Sequence, residues 1–288
     1  MIVTIQVSHR SFSNTSRLCR AEIYFVHSKE TTAAGNGKIH NNFFCVFCHL
    51  RRLSFFTRFI YIYVYMKITQ LHKWNLTPAE AVQLQKQLAY EVIKEDKFAA
   101  PVKTVAGIDL GYDAKNDTSR AVVVVLSFPA LELIESAEAL LPIQFPYVPG
   151  LLSFRETPVA IKALEKLKIT PDLILCDGQG LAHPRRFGIA CHIGLITNVP
   201  TLGVAKSLLV GKFENLGETR GGVAPLVHRN EQVGVALRTK DKVQPVYVSI
   251  GHRINLATAT DYVLQCAPKY RLPETTRLAD KMASYRKR

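Results

Sequence analysis

Apolar residues in this chain fall into short blocks whose spacing changes along the sequence. Ala81, Leu84, Leu88 and Val92 recur at three- and four-residue intervals, the period of one face of an α-helix. Thr77-Pro78-Ala79-Glu80 stands just ahead of them. It reads as a capping box with proline at the first helical position, where the missing N–H leaves no bond unmade. These signals predict a helix over 78–94. Strand-like blocks follow at 104–110, 120–128 and 131–140. Ala121 to Leu126 is apolar at every position, as expected of a strand covered on both faces.

Past a proline-rich stretch at 142–150, Ser153-Phe154-Arg155-Glu156 opens a helix, and Thr157-Pro158 caps a helical run to about Leu167. Asp172 to Cys176 reads as a strand, Arg186 to Asn198 as a helix of small residues, and Pro200 to Ala205 as another strand. Two more strands near 232–238 and 245–250 and a helix over 255–266 complete the pattern. Three strands in a row followed by alternating helix and strand predict a mixed α/β fold. The arrangement expected is a ribonuclease H-like sheet. In it a three-stranded antiparallel meander is extended by parallel strands beyond the first strand, with helices flanking the sheet. The first strand and the strand at 172–176 are then neighbours.

Residues 1–65 lack this periodicity. The stretch Phe59 to Met66 is apolar but far short of the ~20 residues a membrane span needs, and no secretory leader pattern precedes it. Met66-Lys67-Ile68-Thr69-Gln70 opens the coherent part of the sequence. The expectation is an extension over 1–65, disordered or translated from upstream, followed by one catalytic domain over 66–288. Cys45-Val46-Phe47-Cys48-His49 has the haem c attachment spacing, but nothing else supports export or axial ligation. His40 and His49 are too weak an offer for zinc. Six scattered cysteines suit a reducing compartment and a cytoplasmic protein.

Charge sharpens the picture. The 288 residues carry a formal charge of +14, which points to a polyanionic partner. Against that background two aspartates end apolar strands: Asp109 in Gly107-Ile108-Asp109-Leu110-Gly111 and Asp177 in Leu175-Cys176-Asp177-Gly178-Gln179-Gly180. Glu156 enters from the helix between them. Three carboxylates delivered to one sheet edge suit a hard divalent cation, and on a basic protein the natural substrate is a phosphodiester. Metal there shields the phosphate and lowers the pKa of the attacking water. Lys206, at the end of the next strand, would stabilise charge near the scissile group. His252, just past a later strand, would sit at the same edge and orient water or metal. Tyr147 is held between Pro146 and Pro149, and so stiffened it makes a wedge for opening a base stack. The glycines of Gly178-Gln179-Gly180 let backbone amides approach a ligand.

The runs Pro146 to Glu156 and Asp177 to Gly188, together with Gly203 to Ser207, Gly251-His252-Arg253 and Tyr270 to Arg277, closely resemble endonuclease V, the deoxyinosine 3′-endonuclease family. The resemblance runs from about Met66 to about Ser284. It implies an enzyme that uses Mg2+, with Mn2+ able to substitute, recognises deoxyinosine in DNA, and hydrolyses the second phosphodiester bond on its 3′ side. Asp109, Glu156 and Asp177 correspond to the metal carboxylates, and Lys206 and His252 to supporting catalytic residues. Pro146, Tyr147 and Pro149 correspond to the strand-separating wedge, and Gly150, Leu152 and His183 to the pocket for the flipped base. The family often has an acidic residue on the helix after the histidine motif, which Asn255-Leu256-Ala257-Thr258-Ala259 lacks. The expected protein is a monomer with no stable protein partner and no membrane association, and inosine-containing RNA stays open as a further substrate. Two alternatives stay open as well. One is a non-catalytic binder of damaged nucleic acid. The other is an actin-like or sugar-kinase ATPase, suggested by Asp109-Leu110-Gly111, although the chain has little room for its duplicated second domain.

Overall fold

The structure is a computed structural model that describes residues 66–113 and 116–284. The expectations for residues 1–65, including the upstream start, the apolar stretch and the Cys-X-X-Cys-His run, lie outside the described residues. Helix α1 (Pro78–Leu88) opens the fold. The meander β1 (Thr104–Asp113), β2 (Thr118–Ser127) and β3 (Leu133–Pro142) follows, and then α2 (Leu152–Leu164), β4 (Leu173–Cys176), α3 (Ile189–Thr197) and β5 (Thr201–Ala205). Three antiparallel strands, β6 (Val223–His228), β7 (Glu231–Leu237) and β8 (Val246–His252), precede α4 (Leu256–Cys266) and α5 (Glu274–Ala283). One eight-stranded sheet results, ordered β3-β2-β1-β4-β5-β8-β7-β6. β4 and β5 run parallel to β1, while β8 runs antiparallel to β5. The expected ribonuclease H-like arrangement is present, extended on one side by the β8-β7-β6 meander.

Alternation along β1 sorts the helices between the two faces of the sheet. Ala106 and Ile108 point to one face and pack with Val159, Ala160 and Leu164 of α2 and Ile193 of α3. Val105 points to the other face and belongs to the core that holds Val263 of α4 and Ala279 and Ala283 of α5. Each fully buried Val, Leu or Ile contributes about 1.5–3 kcal/mol, so the two apolar layers carry the stability. On the α5 face the backbones come into contact. A Cβ on Gly107 would lie 2.3 Å from the Thr275 carbonyl carbon, so only glycine lets α5 rest directly on β1. Asp172 Oδ2 accepts the amides of Lys103 (2.8 Å) and Thr104 (2.9 Å), which clamps the starts of β1 and β4. Ile108 and Cys176 therefore arrive level, and β1 runs on five residues further beside β2.

Several boundaries differ from expectation for identifiable reasons. The capping box forms as read, with Thr77 N–H donating to Glu80 Oε2 at 2.7 Å. α1 nevertheless ends near Leu88, because the following chain leaves it to bond elsewhere: Arg253 N–H donates to Ile93 O and Lys97 N–H to Arg253 O. Thr157-Pro158 does not start a helix, for α2 begins at Leu152 and carries Pro158 in its interior. α3 starts three residues later than expected, since Arg186 sits at φ 58°, outside the right-handed helical region. β6 and α5 were not expected as elements, and α5 proves important below.

Candidate active site

β1 and β4 lie side by side with Ile108 paired to Cys176, so Asp109 and Asp177 stand at the same level; β4 ends there, while β1, expected to end near 110, runs on beside β2 to Asp113. Asp177 N–H donates to Ile108 O at 3.1 Å, which holds that register one residue beyond the strand. The two carboxyls stand close enough for Asp177 to raise the pKa of Asp109. Lys206 follows β5, the next parallel strand, and its Nζ stands 2.5 Å from Asp177 Oδ2. Arg271 fixes its backbone by donating to Lys206 O at 2.6 Å and Pro245 O at 2.8 Å. Glu156 approaches from the first turns of α2 and feels the charge of Asp177. Three of the expected carboxylates and the lysine thus converge from four separate elements.

A fourth carboxylate was missed. Asp280 of α5 lies 3.5 Å from Lys206 Nζ and adds its charge to that felt by Asp109. The run Asn255 to Ala259 at the start of α4 has no acid, as the sequence showed; Asp280 brings one to the site from the following helix. The available signal was the buried stripe Thr275, Thr276, Ala279 and Ala283, whose helical spacing places Asp280 on the flank of that stripe.

Electrostatics show a site crowded with negative charge. Burial, then the hydrogen bond and charge of Asp177, push the Asp109 carboxyl up to about 8. Burial, joined by the charge of Asp177 and opposed by Arg155, pushes Glu156 up to about 7. Desolvation works against the Lys206 ammonium, but Asp177, Asp109 and Asp280 outweigh it and hold its pKa above the usual range. Three aspartates around one lysine, with Glu156 near Asp177, form a donor set of hard oxygens with charge to spare, which suits a divalent cation. As the side chains stand, no three acidic, imidazole or thiol groups among the described residues converge tightly enough to hold an ion. Lys206 occupies the approach to Asp177, and Glu156 makes no hydrogen bond to the aspartate pair.

His252 does not reach this edge. It was expected there as a residue following a strand end, but β8 is antiparallel to β5, with Thr201 opposite His252 and Ala205 opposite Tyr247. The histidine therefore lies at the far end of β5, about 13 Å of strand away at ~3.3 Å per residue. It is buried, and its Nδ1 accepts the Ile93 N–H at 3.3 Å. Burial, then Arg253, push its pKa down to about 4.

The loop between Pro146 and Gly150 is rooted in the core and presents its tyrosine to solvent. Phe145 is buried with Leu151, Phe154 and Ala81, and it anchors a loop whose tip, Tyr147, is 71% exposed. The Arg155 guanidinium stands 6.0 Å from the Tyr147 ring centre and 5.2 Å from that of Tyr112, within cation–π range. Pro146, Pro149 and Leu152 are exposed beside the tip. Gly150 closes the loop at φ 77°, and a Cβ there would meet Arg185 Nη2 at 2.7 Å. His183 is buried, and both of its ring nitrogens are engaged: Nε2 bonds Gly150 O at 3.0 Å, and Nδ1 accepts the Arg185 N–H at 3.2 Å. Burial, then Arg185, lower its pKa to about 4. It is thus a neutral Nε2–H tautomer that holds the loop's backbone, with neither ring nitrogen left for a base.

An acid-lined edge of a mixed sheet, with one lysine among the carboxylates, defines a nuclease of the ribonuclease H-like class. The family model described as endonuclease V matches residues 86–281. The chain belongs to the endonuclease V family. A relative from Trichormus variabilis, named endonuclease V, is 58% identical over 221 residues, covering 77% of this chain and all of that protein. The crystal structure of endonuclease V from Streptomyces avermitilis is 44% identical and superposes with a TM-score of 0.70, over 76% of this chain and 96% of that one. A Ciona intestinalis endonuclease V, solved with a 24-mer DNA containing an inosine followed by a ribo-adenosine, is 29% identical with a TM-score of 0.62. That match covers 71% of this chain and 95% of that one. Among the described residues, no helix is long and apolar enough to cross a membrane.

Proposed function

We propose that this endonuclease recognises deoxyinosine in DNA and hydrolyses the second phosphodiester bond on its 3′ side with the help of Mg2+, for which Mn2+ can substitute. The observation that carries the reading is the meeting of Asp109, within β1, and Asp177, just past the end of the parallel neighbour β4, with Lys206 against Asp177. Asp109, Asp177 and Glu156 would hold the metal, which when bound lowers the pKa of a water and shields the phosphate. Lys206 places a compact positive charge where the pentavalent phosphate gathers negative charge. Asp280 keeps that ammonium oriented. Tyr147 enters the base stack, and the Gly150–Leu152 turn, held by His183, receives the displaced base. The inosine bound by the Ciona relative supports the choice of lesion. We read the protein as a cytoplasmic monomer without a stable partner. Cys176, Cys191 and Cys266 support this reading, being free and buried as in a reducing compartment. An inosine-containing RNA strand is the second substrate to try.

A gel assay on a duplex with one labelled inosine strand tests the reading. A nick at the second 3′ bond should appear with Mg2+ and vanish with chelator. Binding without any metal-dependent nick would instead favour a non-catalytic binder. Tyr147→Ala should lower the preference for inosine over adenine about tenfold or more, since base–aromatic stacking is worth about 1–3 kcal/mol. An unchanged ratio of the two kcat/KM values would remove the wedge role.

His252→Ala tests the far-edge placement. Removing a buried acceptor costs about 1–3 kcal/mol, so the melting temperature should drop by several degrees while saturated nicking stays within about threefold. A loss of a hundredfold or more in a folded variant would return the histidine to the chemistry.

A further inference from the structure

Gln85 is fully buried on α1, far along the chain from every carboxylate of the site. A buried amide is costly unless both ends are paired, and here both are. Nε2 donates to Phe187 O at 2.6 Å and to Gly150 O at 3.1 Å, and Oε1 accepts from Arg185 Nε. This bonding fixes the orientation of the amide, because the carbonyls demand the NH2 and the guanidinium demands the oxygen. The two carbonyls belong to different loops. Gly150 closes the wedge loop and precedes Leu152. Phe187 precedes Gly188, the N-cap of α3.

Both loops are tightly tied to the site. Gly188 N–H donates to Gly180 O at 3.0 Å, and a Cβ on Gly188 would fall 2.1 Å from Gln179 O. A shift of Phe187 therefore passes directly into the segment that follows Asp177. Gly150 O also receives His183 Nε2 at 3.0 Å and Arg185 Nη2 at 2.6 Å. Among the described residues, only the Gln85 amide bonds the carbonyls of both loops.

We propose that Gln85 is a positioning residue that sets the separation of the wedge loop from the start of α3, and with it the width of the base pocket. The inference rests on the base-recognition reading given above. No close substitute serves. Glutamate would aim a carboxylate at two carbonyl oxygens, and leucine would fill the volume but leave Phe187 O and Arg185 Nε unpaired.

The test uses the full chain, with kcat and KM measured on an inosine duplex and on the same duplex with adenine. Gln85→Leu should raise KM for inosine about ten- to a hundredfold, lower the inosine-to-adenine ratio of kcat/KM, and move kcat by no more than a few fold. A role in stability alone would lower the melting temperature without changing that ratio. Arg185→Met, which removes the guanidinium from Gln85 Oε1 and Gly150 O, should act in the same direction. The double variant should lose less than the product of the two, because both act through one carbonyl. A folded Gln85→Leu protein with unchanged KM and ratio would overturn the inference, and so would a fall confined to kcat. Should Gln85→Leu fail to fold, Arg185→Met decides by the same measures. The parent chain tells the two readings apart. No nicking by the parent counts against the proposed reaction, and the pocket is then judged from the dissociation constants for the two duplexes. Nicking by the parent with an unaltered variant counts against Gln85 alone.

Discussion

Asp109→Ala should reduce metal-dependent nicking of an inosine duplex by about a thousandfold or more while leaving the duplex bound, because it removes a carboxylate from the centre of the site. A loss of that size corresponds to about 4 kcal/mol of transition-state stabilisation, within the range for deleting a group that organises charge at the reacting centre. Single-turnover nicking and gel-shift binding, measured side by side, check the two halves. Full cleavage by the variant would remove Asp109 from the chemistry.

The same aspartate also predicts a pH effect on the protein without metal. Burial and Asp177 raise Asp109 from 3.8 to about 8, and burial raises Glu156 from 4.5 to about 7. The folded state thus holds both protons more tightly than the unfolded chain. The stability this confers is fully present below about pH 4 and is lost as pH rises through about 7 to 8. In chelator, the parent should therefore melt lower at pH 8 than at pH 5, and Asp109→Asn should flatten that difference. Added Mg2+ should restore the parent at pH 8 and leave Asp109→Asn little changed. A parent whose melting temperature is flat from pH 5 to 8 in chelator would contradict the crowded-carboxylate description.

Gly107→Val should prevent the protein from folding at 37 °C or destabilise it by about 4 kcal/mol or more. The position lies in the middle of β1, where valine is ordinarily favourable. Here, however, a Cβ would fall 2.3 Å from the Thr275 carbonyl carbon, 2.4 Å from its oxygen and 2.8 Å from Thr275 Cβ. Backbone cannot yield as a side chain can, so either α5 lifts off β1 or the strand bends. Either movement opens the layer containing Val105, Ala279 and Ala283 and displaces Asp280 from Lys206. Denaturant unfolding of both proteins checks the size of the effect. A Gly107→Val protein within 1 kcal/mol of the parent would mean that α5 packs less closely on β1 than described.

The comparison of sequence with structure divides along a physical line. Local chemistry was legible. Thr77 to Glu80 caps a helix, six consecutive apolar residues at 121–126 form a strand covered on both faces, and Pro146 and Pro149 frame an exposed Tyr147. Each signal depends on neighbours within a few positions. The meeting of Asp109 and Asp177 was legible too, because each follows an apolar strand run and the two runs pair in parallel, although β1 continues past Asp109 to Asp113.

The sequence by itself determined the α/β fold class, the acidic edge and the lysine beside it. Tertiary structure alone decided the rest. A strand's direction relative to a neighbour far along the chain is set by packing, and it carried His252 away from the edge that its local motif suggested. Helix α5, with a short and mostly polar sequence, takes its place from the bare backbone at Gly107, and that contact supplies Asp280. The partners of Gln85 lie 65 and 102 positions away. Hydrogen bonds over such separations leave no periodic trace, because only the closed fold brings the donor and its acceptors together.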